Sequence, residues 1–342
     1  MPHSTFVKFI WPSFLAMILF IAFPIVSVAI QSFFVEHEQV MREVENCDPF
    51  KCTTVLQVDL EATQALKENA PLGRYNGLGT YTNRAHLAFD EISEIWSTTT
   101  TTGQFIAGVY NLPFYKALFF TLSYTAIVTP LVIVFGLFIA LGVNRLPKVT
   151  RGPTIFASLL PMIVTPLIGG LILFWMVDAD GIIGATLQII FDDPDLSLKA
   201  SAPLTWIMLM VYGVWHSTPF AFVVFYAGLQ TVPSETLEAA KIDGATRWQQ
   251  VRYVVVPYMM PLLVFITLMQ LMDNFRVLEP IVAFSANAKA TSLSMFIYND
   301  LSAQDKLFGS AAATSMLTIL GVCILLTPVL IRTWRDFKSR SV

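Results

Sequence analysis

ALFFTLSYTAIVTPLVIVFGLFIALGV, residues Ala117–Val143, contains no acidic or basic side chain. A helix rises 1.5 Å per residue, so about 20 apolar residues cross the hydrocarbon of a bilayer. The stretch reads as a transmembrane helix. Outward from it, five more apolar runs of spanning length occur at Ile10–Phe34, Ile155–Val177, Leu204–Leu229, Met259–Leu278 and Ala311–Ile331. Composition agrees: the 342 residues are 55% hydrophobic and 13% charged, and the mean hydropathy is +0.64. These values exclude an ordinary soluble domain, and no alternation at barrel-strand spacing competes with the helical reading. The first run exceeds a signal-peptide core and lacks a small-x-small cleavage site, so a retained span is expected.

Basic residues flanking the spans predict orientation, because Lys and Arg resist translocation. Lys8, the group Arg145, Lys148 and Arg151, the group Lys241, Arg247 and Arg252, and Arg332, Arg335, Lys338 and Arg340 fall on one side. Acidic residues crowd the other, after the first run (Glu36 to Asp48, Asp90 to Glu94) and after the third (Asp178 to Asp195). Both termini are therefore expected in the cytoplasm. The net charge of -3 averages two faces of opposite sign and says little about partners.

Three regions follow: residues 1–34 with the first span, an exported insertion at 35–113, and a core membrane domain at 114–342. Within the insertion, DLEATQALKEN (59–69) and AHLAFDEISEIW (85–96) show helical spacing, so helix and loop are expected, with the threonine run at 97–103 as a flexible connection. Cys47 and Cys52 lie in this region, where an oxidising compartment permits a disulfide; two free thiols are the alternative. Cys323 sits in the last span as a small apolar packer. No further ligands at useful spacing accompany the cysteine pair, so no metal site is expected.

The polar segment TVPSETLEAAKIDGATRWQQVRYVVVP (231–257) interrupts the apolar runs. Pro233 and Ser234 suit a helix start, with Ser234 as the cap and Glu235 and Glu238 near the positive helix end. Ala239 and Ala240 leave a slim surface that enters a cleft more closely than bulky side chains do. Gly244 permits a sharp bend. Trp248, Val251 and Val255 are expected to form an apolar stripe on a second helix, ending at Pro257. On physical grounds alone, an amphipathic connector lying on lipid headgroups fits equally well.

The segment resembles the EAA loop of binding-protein-dependent ABC importer permeases. The matching residues are Glu238-Ala239-Ala240, Asp243-Gly244-Ala245, and Val254, Val256 and Pro257. Val251 departs from the family, which more often has an aromatic residue there. GLGTY (77–81), the stretch before the loop and FGSAAA (308–313) extend the likeness over nearly the whole chain, toward the carbohydrate-uptake, maltose-type permeases. A glycine-rich turn usual after the fifth span is replaced by SANAKATS (285–292).

The resemblance implies an all-α integral membrane protein of the type I importer permease fold, with about six spans and a coupling loop at 230–258. It implies a bacterial inner-membrane subunit, with partners comprising a second related permease, ATP-binding subunits forming a dimer, an exported solute-binding protein and membrane lipid, and no nucleic acid. The chain has no G-x-x-x-x-G-K-[ST] loop, so ATP and Mg are expected on the partner ATPase and no cofactor on this chain.

Polar groups inside spans are costly and mark function when they face a cavity. In LMQLMDNFRVLEP, Gln270 and Asn274 share a helix face four residues apart. Polar residues at these places line the sugar site in similar maltose-type permeases. Asp273 and Arg276 complete the group, with Trp215, His216 and Ser217 as further candidates. Asp273 and Arg276 also suit an ion pair with each other, and His216 suits an interhelical hydrogen bond. Trp175 and Trp206 are expected as interface anchors. An anionic sugar, such as a sulfosugar or a sugar or glycerol phosphate, is the alternative substrate because Arg276 and Lys289 approach the outer mouth. Catalytic motifs such as H-E-x-x-H and G-x-S-x-G are absent, so no catalytic residue is expected. A membrane scaffold or signalling subunit without its own substrate path is the competing function.

Overall fold

A computed structural model describes residues 3–48 and 51–340. It divides into two compact units, residues 1–116 with 296–319 and residues 117–295 with 320–342. In chain order, α1 (His3–Met17), a π-helical turn at Ile18–Ala22 and α2 (Phe23–Gln31) make one apolar helix. Next come β1 (Phe34–Val35), the hairpin of β2 (Met41–Asp48) and β3 (Lys51–Val58), and α3 (Leu60–Asn69). β4 (Arg74–Tyr75), antiparallel to β1, precedes α4 (Gly79–Thr82), α5 (Phe89–Thr98) and α6 (Thr102–Tyr110).

The membrane core follows, with α7 (Pro113–Asn144), α8 (Lys148–Ile163), α9 (Pro166–Met176), α10 (Ile182–Phe191) and α11 (Ala202–Leu229). Then come α12 (Ser234–Ile242), α13 (Arg247–Gln250), a π-turn at Val251–Val255 and α14 (Val256–Tyr258). The chain closes with α15 (Met260–Phe275), α16 (Glu279–Ala283), α17 (Leu293–Ser302) and α18 (Phe308–Arg340).

Among the described residues, four helices are long and apolar enough to cross a membrane, and the count reaches six if each of two bent pairs is one span. Those pairs are α8 with α9, bent by 91°, and the 247–258 helix with α15, bent by 72°. Proline causes both breaks. Pro166 forces Thr165 into extended backbone (φ -63°, ψ 148°), and Pro261 stands at the start of α15 without an N–H to continue the ladder. The core of this unit packs Phe120, Val128 and Val132 of α7 against Phe222 and Phe225 of α11 and Ile266 of α15, all nearly or fully buried.

Three expectations need correction. The segment between the first two spans holds a hairpin as well as helices, because MREVENCD and KCTTVLQV favour extended backbone through Val44, Thr53, Thr54 and Val55. Its register sets Cys47 opposite Cys52 along the backbone. The expected disulfide lies outside the described side chains. The threonine run is a joint rather than a loose connection: the hydroxyls of Thr98 and Thr99 donate to the carbonyls of Glu94 and Ile95, and Thr101 precedes α6. Trp206 turns onto Phe119 and Phe120, and its Nε1 donates to the Lys289 carbonyl at 2.9 Å. Trp175 remains exposed.

In the first unit, the start of α18 is held by groups distant in sequence. Glu36 Oε1 accepts the Gly309 N–H at 2.6 Å, satisfying a donor that the helix leaves free, and Asp300 Oδ2 accepts the Ser310 hydroxyl at 2.7 Å. His86, fully buried, lies against the same turn. Its Nδ1 is 3.0 Å from Asn83 Oδ1, which also accepts the Ala85 N–H. Nε2 lies 3.0 Å from the Thr314 hydroxyl and 3.2 Å from the Ser310 carbonyl.

Burial pushes the His86 imidazole below its ordinary 6.5, against the opposing pull of the Ser310 carbonyl and the Asp300 carboxylate. A histidine so depressed contributes stability that is present above pH 6.5 and lost as pH falls through its lowered folded value. Asp300 is shifted upward by burial and works in the opposite sense, losing its contribution as pH rises through its own raised value. Hydrogen exchange of residues 83–90, corrected for intrinsic rates, should accelerate on acidification below pH 6.5. His86→Gln should flatten that response; an unchanged profile in the variant would rule His86 out as its source.

Candidate functional site

Two features of the second unit can act on other molecules: an exposed polar segment and a polar cavity. In the segment, α12 ends at Asp243, and the N–H groups of Asp243, Gly244 and Ala245 return to the carbonyls of Ala239, Lys241 and Ala240. Gly244 takes φ +79°, a left-handed conformation in which other residues are strained. The chain turns there and re-enters helix through a capping box, with Gln249 N–H on Thr246 Oγ1 and Thr246 N–H on Gln249 Oε1.

Glu238, Ala239, Asp243, Gly244 and Pro257 are exposed, and Ala240 and Ala245 are half-buried. Ile242 is 86% exposed and Trp248 66%. These two side chains stand bare on either side of the bend. The expected stripe is split, because Val251 and Val255 are buried while Trp248 points outward. The π-helical turn over Val251–Val255 shifts the periodicity that would have aligned them. Pro233, not Ser234, occupies the cap position, without a side-chain bond. The Thr246–Gln249 box was legible as T-x-x-Q before a helical stretch, yet sequence reasoning passed over it.

The cavity, about 480 Å³, is lined by Tyr124 of α7, by Tyr212, Gly213, His216 and Ser217 of α11, by Asp273, Asn274 and Arg276, and by Pro166, Glu279 and Ser294 among others. Its wall is tied to the break between α8 and α9. That break leaves carbonyl groups at the end of α8 outside the helical ladder, and α11 runs beside them. Tyr212 OH donates to Pro166 O at 3.1 Å, and His216 Nε2 lies 3.0 Å from Val164 O. His216 thus makes an interhelical hydrogen bond while lining the cavity.

Asn274 is buried and donates to Thr129 Oγ1 at 3.0 Å and to Gln270 Oε1 at 3.4 Å. Gln270 is buried beside it and supports Asn274 without lining the cavity. Arg276 Nη2 pairs with Asp273 Oδ1 at 3.1 Å, both side chains being more than half exposed. The structure therefore brings together His216, Ser217, Asp273, Asn274 and Arg276. Trp215, 48% exposed, faces away.

Sequence reasoning missed Tyr124, Tyr212, Glu279 and Ser294. Tyr212 had a signal, since it precedes His216 by four residues and shares its face; Tyr124 and Ser294 come from distant elements and had none. Hydroxyls, an amide and two tyrosine rings suit a ligand that offers hydrogen bonds and an apolar face. Among the described residues, no three His, Cys, Asp or Glu side chains converge as metal ligands.

A Cβ on Gly213 would collide with the Tyr124 hydroxyl. Gly213→Ala should displace Tyr124 and reshape the cavity, costing about 1–3 kcal/mol of packing. Solute uptake per unit of membrane-inserted protein should fall several-fold, and undiminished uptake would disconnect this cavity from transport.

Comparisons with known proteins agree with this anatomy. The model of the family described as "Binding-protein-dependent transport system inner membrane component" matches residues 99–334. The chain is similar to the inner membrane ABC transporter permease protein YcjO of Escherichia coli (strain K12), 29% identical over 245 residues, covering 68% of this chain and 80% of the relative. It is 27% identical over 226 residues to the probable starch degradation products transport system permease protein AmyD of Thermoanaerobacterium thermosulfurigenes, covering 61% and 72%. Among solved structures, a bacterial ABC transporter involved in the import of the acidic polysaccharide alginate superposes with a TM-score of 0.61 at 15% identity, covering 98% of this chain and 99% of that one. At that identity the likeness concerns the fold.

Proposed function

As the chain belongs to the family of binding-protein-dependent transport system inner membrane components, matched from residue 99 to 334, we propose that it forms part of the path of an ATP-driven importer for a sugar or sugar derivative. It is a transport subunit of the ABC permease class. The observation that carries the reading is the glycine-jointed segment at Glu238–Ala245, which stands exposed and ready to be covered by another protein. Its occupant is a separate ATPase: Glu238, Ala239, Ala240, Asp243, Gly244 and Ala245 form the docking helix and its joint, and Pro257 begins the return to the membrane. ATP and Mg are handled by that partner, and this chain needs no cofactor.

Residues 35–113 form an exported insertion, and both termini lie in the cytoplasm. A related second permease completes the membrane path, and an exported binding protein delivers the solute. The cavity at Asn274, His216 and Ser217 receives it, with Gln270 holding Asn274 and the Asp273–Arg276 pair at the rim. Transport relatives such as the starch-products permease support a sugar as cargo. Closure of the ATPase pushes the docking helix and shifts the balance between two arrangements of the spans.

Gly244→Asp tests the docking role. A Cβ at Gly244 meets nothing within 4 Å, so the substitution burdens only a left-handed backbone and adds a charge to the exposed joint. The variant should insert normally, yet recover far less ATP-binding subunit on affinity purification from its own membrane. Wild-type recovery of the ATPase, with wild-type transport, would remove this segment as the coupling site.

A further inference from the structure

A second, smaller cavity of about 210 Å³ opens at the start of α11, lined in part by Phe174, Lys199, Thr205, Phe284, Ser285 and Lys289. α11 has 28 residues, roughly 42 Å at 1.5 Å each, so this cavity lies at the opposite end of the helix from the coupling segment. Trp175, next to Phe174 in the chain, is exposed.

The two lysines differ in what balances them. Lys199 Nζ pairs with the Asp178 carboxylate, donates to Phe174 O at 3.4 Å and sits 3.6 Å from the centre of the Phe174 ring. That hydrogen bond holds the Asp178 carboxyl below the usual carboxylate range, which commits Asp178 to Lys199. Lys289 Nζ donates to the Lys199 carbonyl, and among the described residues no carboxylate lies within ion-pair distance of it. Its backbone is pinned on both sides, by Trp206 Nε1 on its carbonyl and by its own N–H on Ala286 O at 2.9 Å. A half-buried ammonium in a fixed position, lining a cavity without a counter-charge, is costly unless an anion joins it.

Ser285 is the second observation. It takes φ +53°, a left-handed conformation that glycine would adopt freely, at the end of α16. The conformation closes α16, with the Ser285 N–H on Val282 O and the Ala286 N–H on Ile281 O, both at 3.0 Å. Here the strained residue brings a hydroxyl to a cavity that already holds an unbalanced cation. Phe174 and Phe284, edge to face with ring centres 6.0 Å apart, give the same cavity an apolar side.

We propose that this cavity binds one oxyanion of the phosphate class, held by the Lys289 ammonium and the Ser285 hydroxyl. The phosphodiester of an anionic lipid and free inorganic phosphate share that chemistry.

The test reads Lys289 directly. The full-length chain in its purified complex is placed in micelles of a polyoxyethylene ether detergent, which carries no phosphate, in the same micelles with added phosphatidylglycerol, or in the same micelles with inorganic phosphate in the buffer. Lysines are then reductively methylated and quantified by mass spectrometry, with the exposed Lys306 as reference. Lys289 modification should fall about threefold or more relative to Lys306, as expected for a site mostly occupied by ligand. Protection by phosphatidylglycerol identifies the lipid source, and protection by phosphate the free anion. Equal modification in all three conditions, or protection that Lys306 shares, overturns the site. Ser285→Gly suits the left-handed backbone and keeps the fold, so it should weaken the protection; unchanged protection would remove the hydroxyl from the site.

Discussion

The hydrocarbon of a membrane offers no water to a freed backbone carbonyl, and much of the second unit answers to that constraint. Where α8 and α9 meet at 91°, His216 approaches the Val164 carbonyl that the break leaves free, and the Tyr212 hydroxyl donates to the Pro166 carbonyl. The same break makes room for the polar cavity. Buried threonines obey the rule more quietly: Thr121 and Thr125 donate to carbonyls one turn back, and Thr121 Oγ1 also accepts the Leu293 N–H at 3.0 Å. Polar residues in these helices thus serve the backbone first, and those that also face the cavity are left to serve a ligand.

α11 joins the two features under the proposed function. Its middle carries the cavity wall, and its C-terminal end leads within a few residues to the coupling helix. Short hydrogen-bonded contacts tie that end to its neighbours: Gln230 Nε2 donates to Asn144 Oδ1 at 3.0 Å, and Tyr258 OH to Thr231 O at 2.8 Å. Under the proposed function, a push on α12 therefore reaches α7 and α14 as well as α11. The joint at Gly244 is closed by the Ala245 N–H on the Ala240 carbonyl at 2.9 Å, which fixes the angle between the two short helices.

Much of this was legible in the sequence, and the reasons are particular. Long apolar runs are unmistakable because nothing but a span uses them at that length, and Glu238–Ala245 was readable because its spacing of alanine, aspartate and glycine is specific. The bends were not read, although Pro166 and Pro261 stood in view, since hydropathy averages over a break. The hairpin at 41–58 was missed because its charged residues masked the extended pattern. In the cavity, Asp273, Asn274 and Arg276 had been singled out as polar groups in an apolar run, and Asn274 also by resemblance to maltose-type permeases. Trp215 does not line the cavity, since neighbours on a helix face different directions, and Gln270 is hydrogen-bonded to Asn274 without lining it. Tyr124 and Ser294 reach the cavity only through the packing of separate helices, which no local pattern records.

Charge at the cavity rim bears on the kind of cargo. Asp273 and Glu279 stand against one cation, Arg276, which already has a partner in Asp273. That pair is exposed, so its own contribution to stability is small, about 0–1 kcal/mol. Under the proposed function its bearing on a visitor is one of sign, since the rim carries two carboxylates against one guanidinium. An anionic sugar entering here must draw Arg276 from Asp273 and then face two carboxylates. A neutral polyol meets no such opposition, and its hydroxyls find donors and acceptors in Ser217, Asn274 and the tyrosines. The acidic residues can themselves accept hydrogen bonds from those hydroxyls, so the rim that repels an anion assists an uncharged sugar.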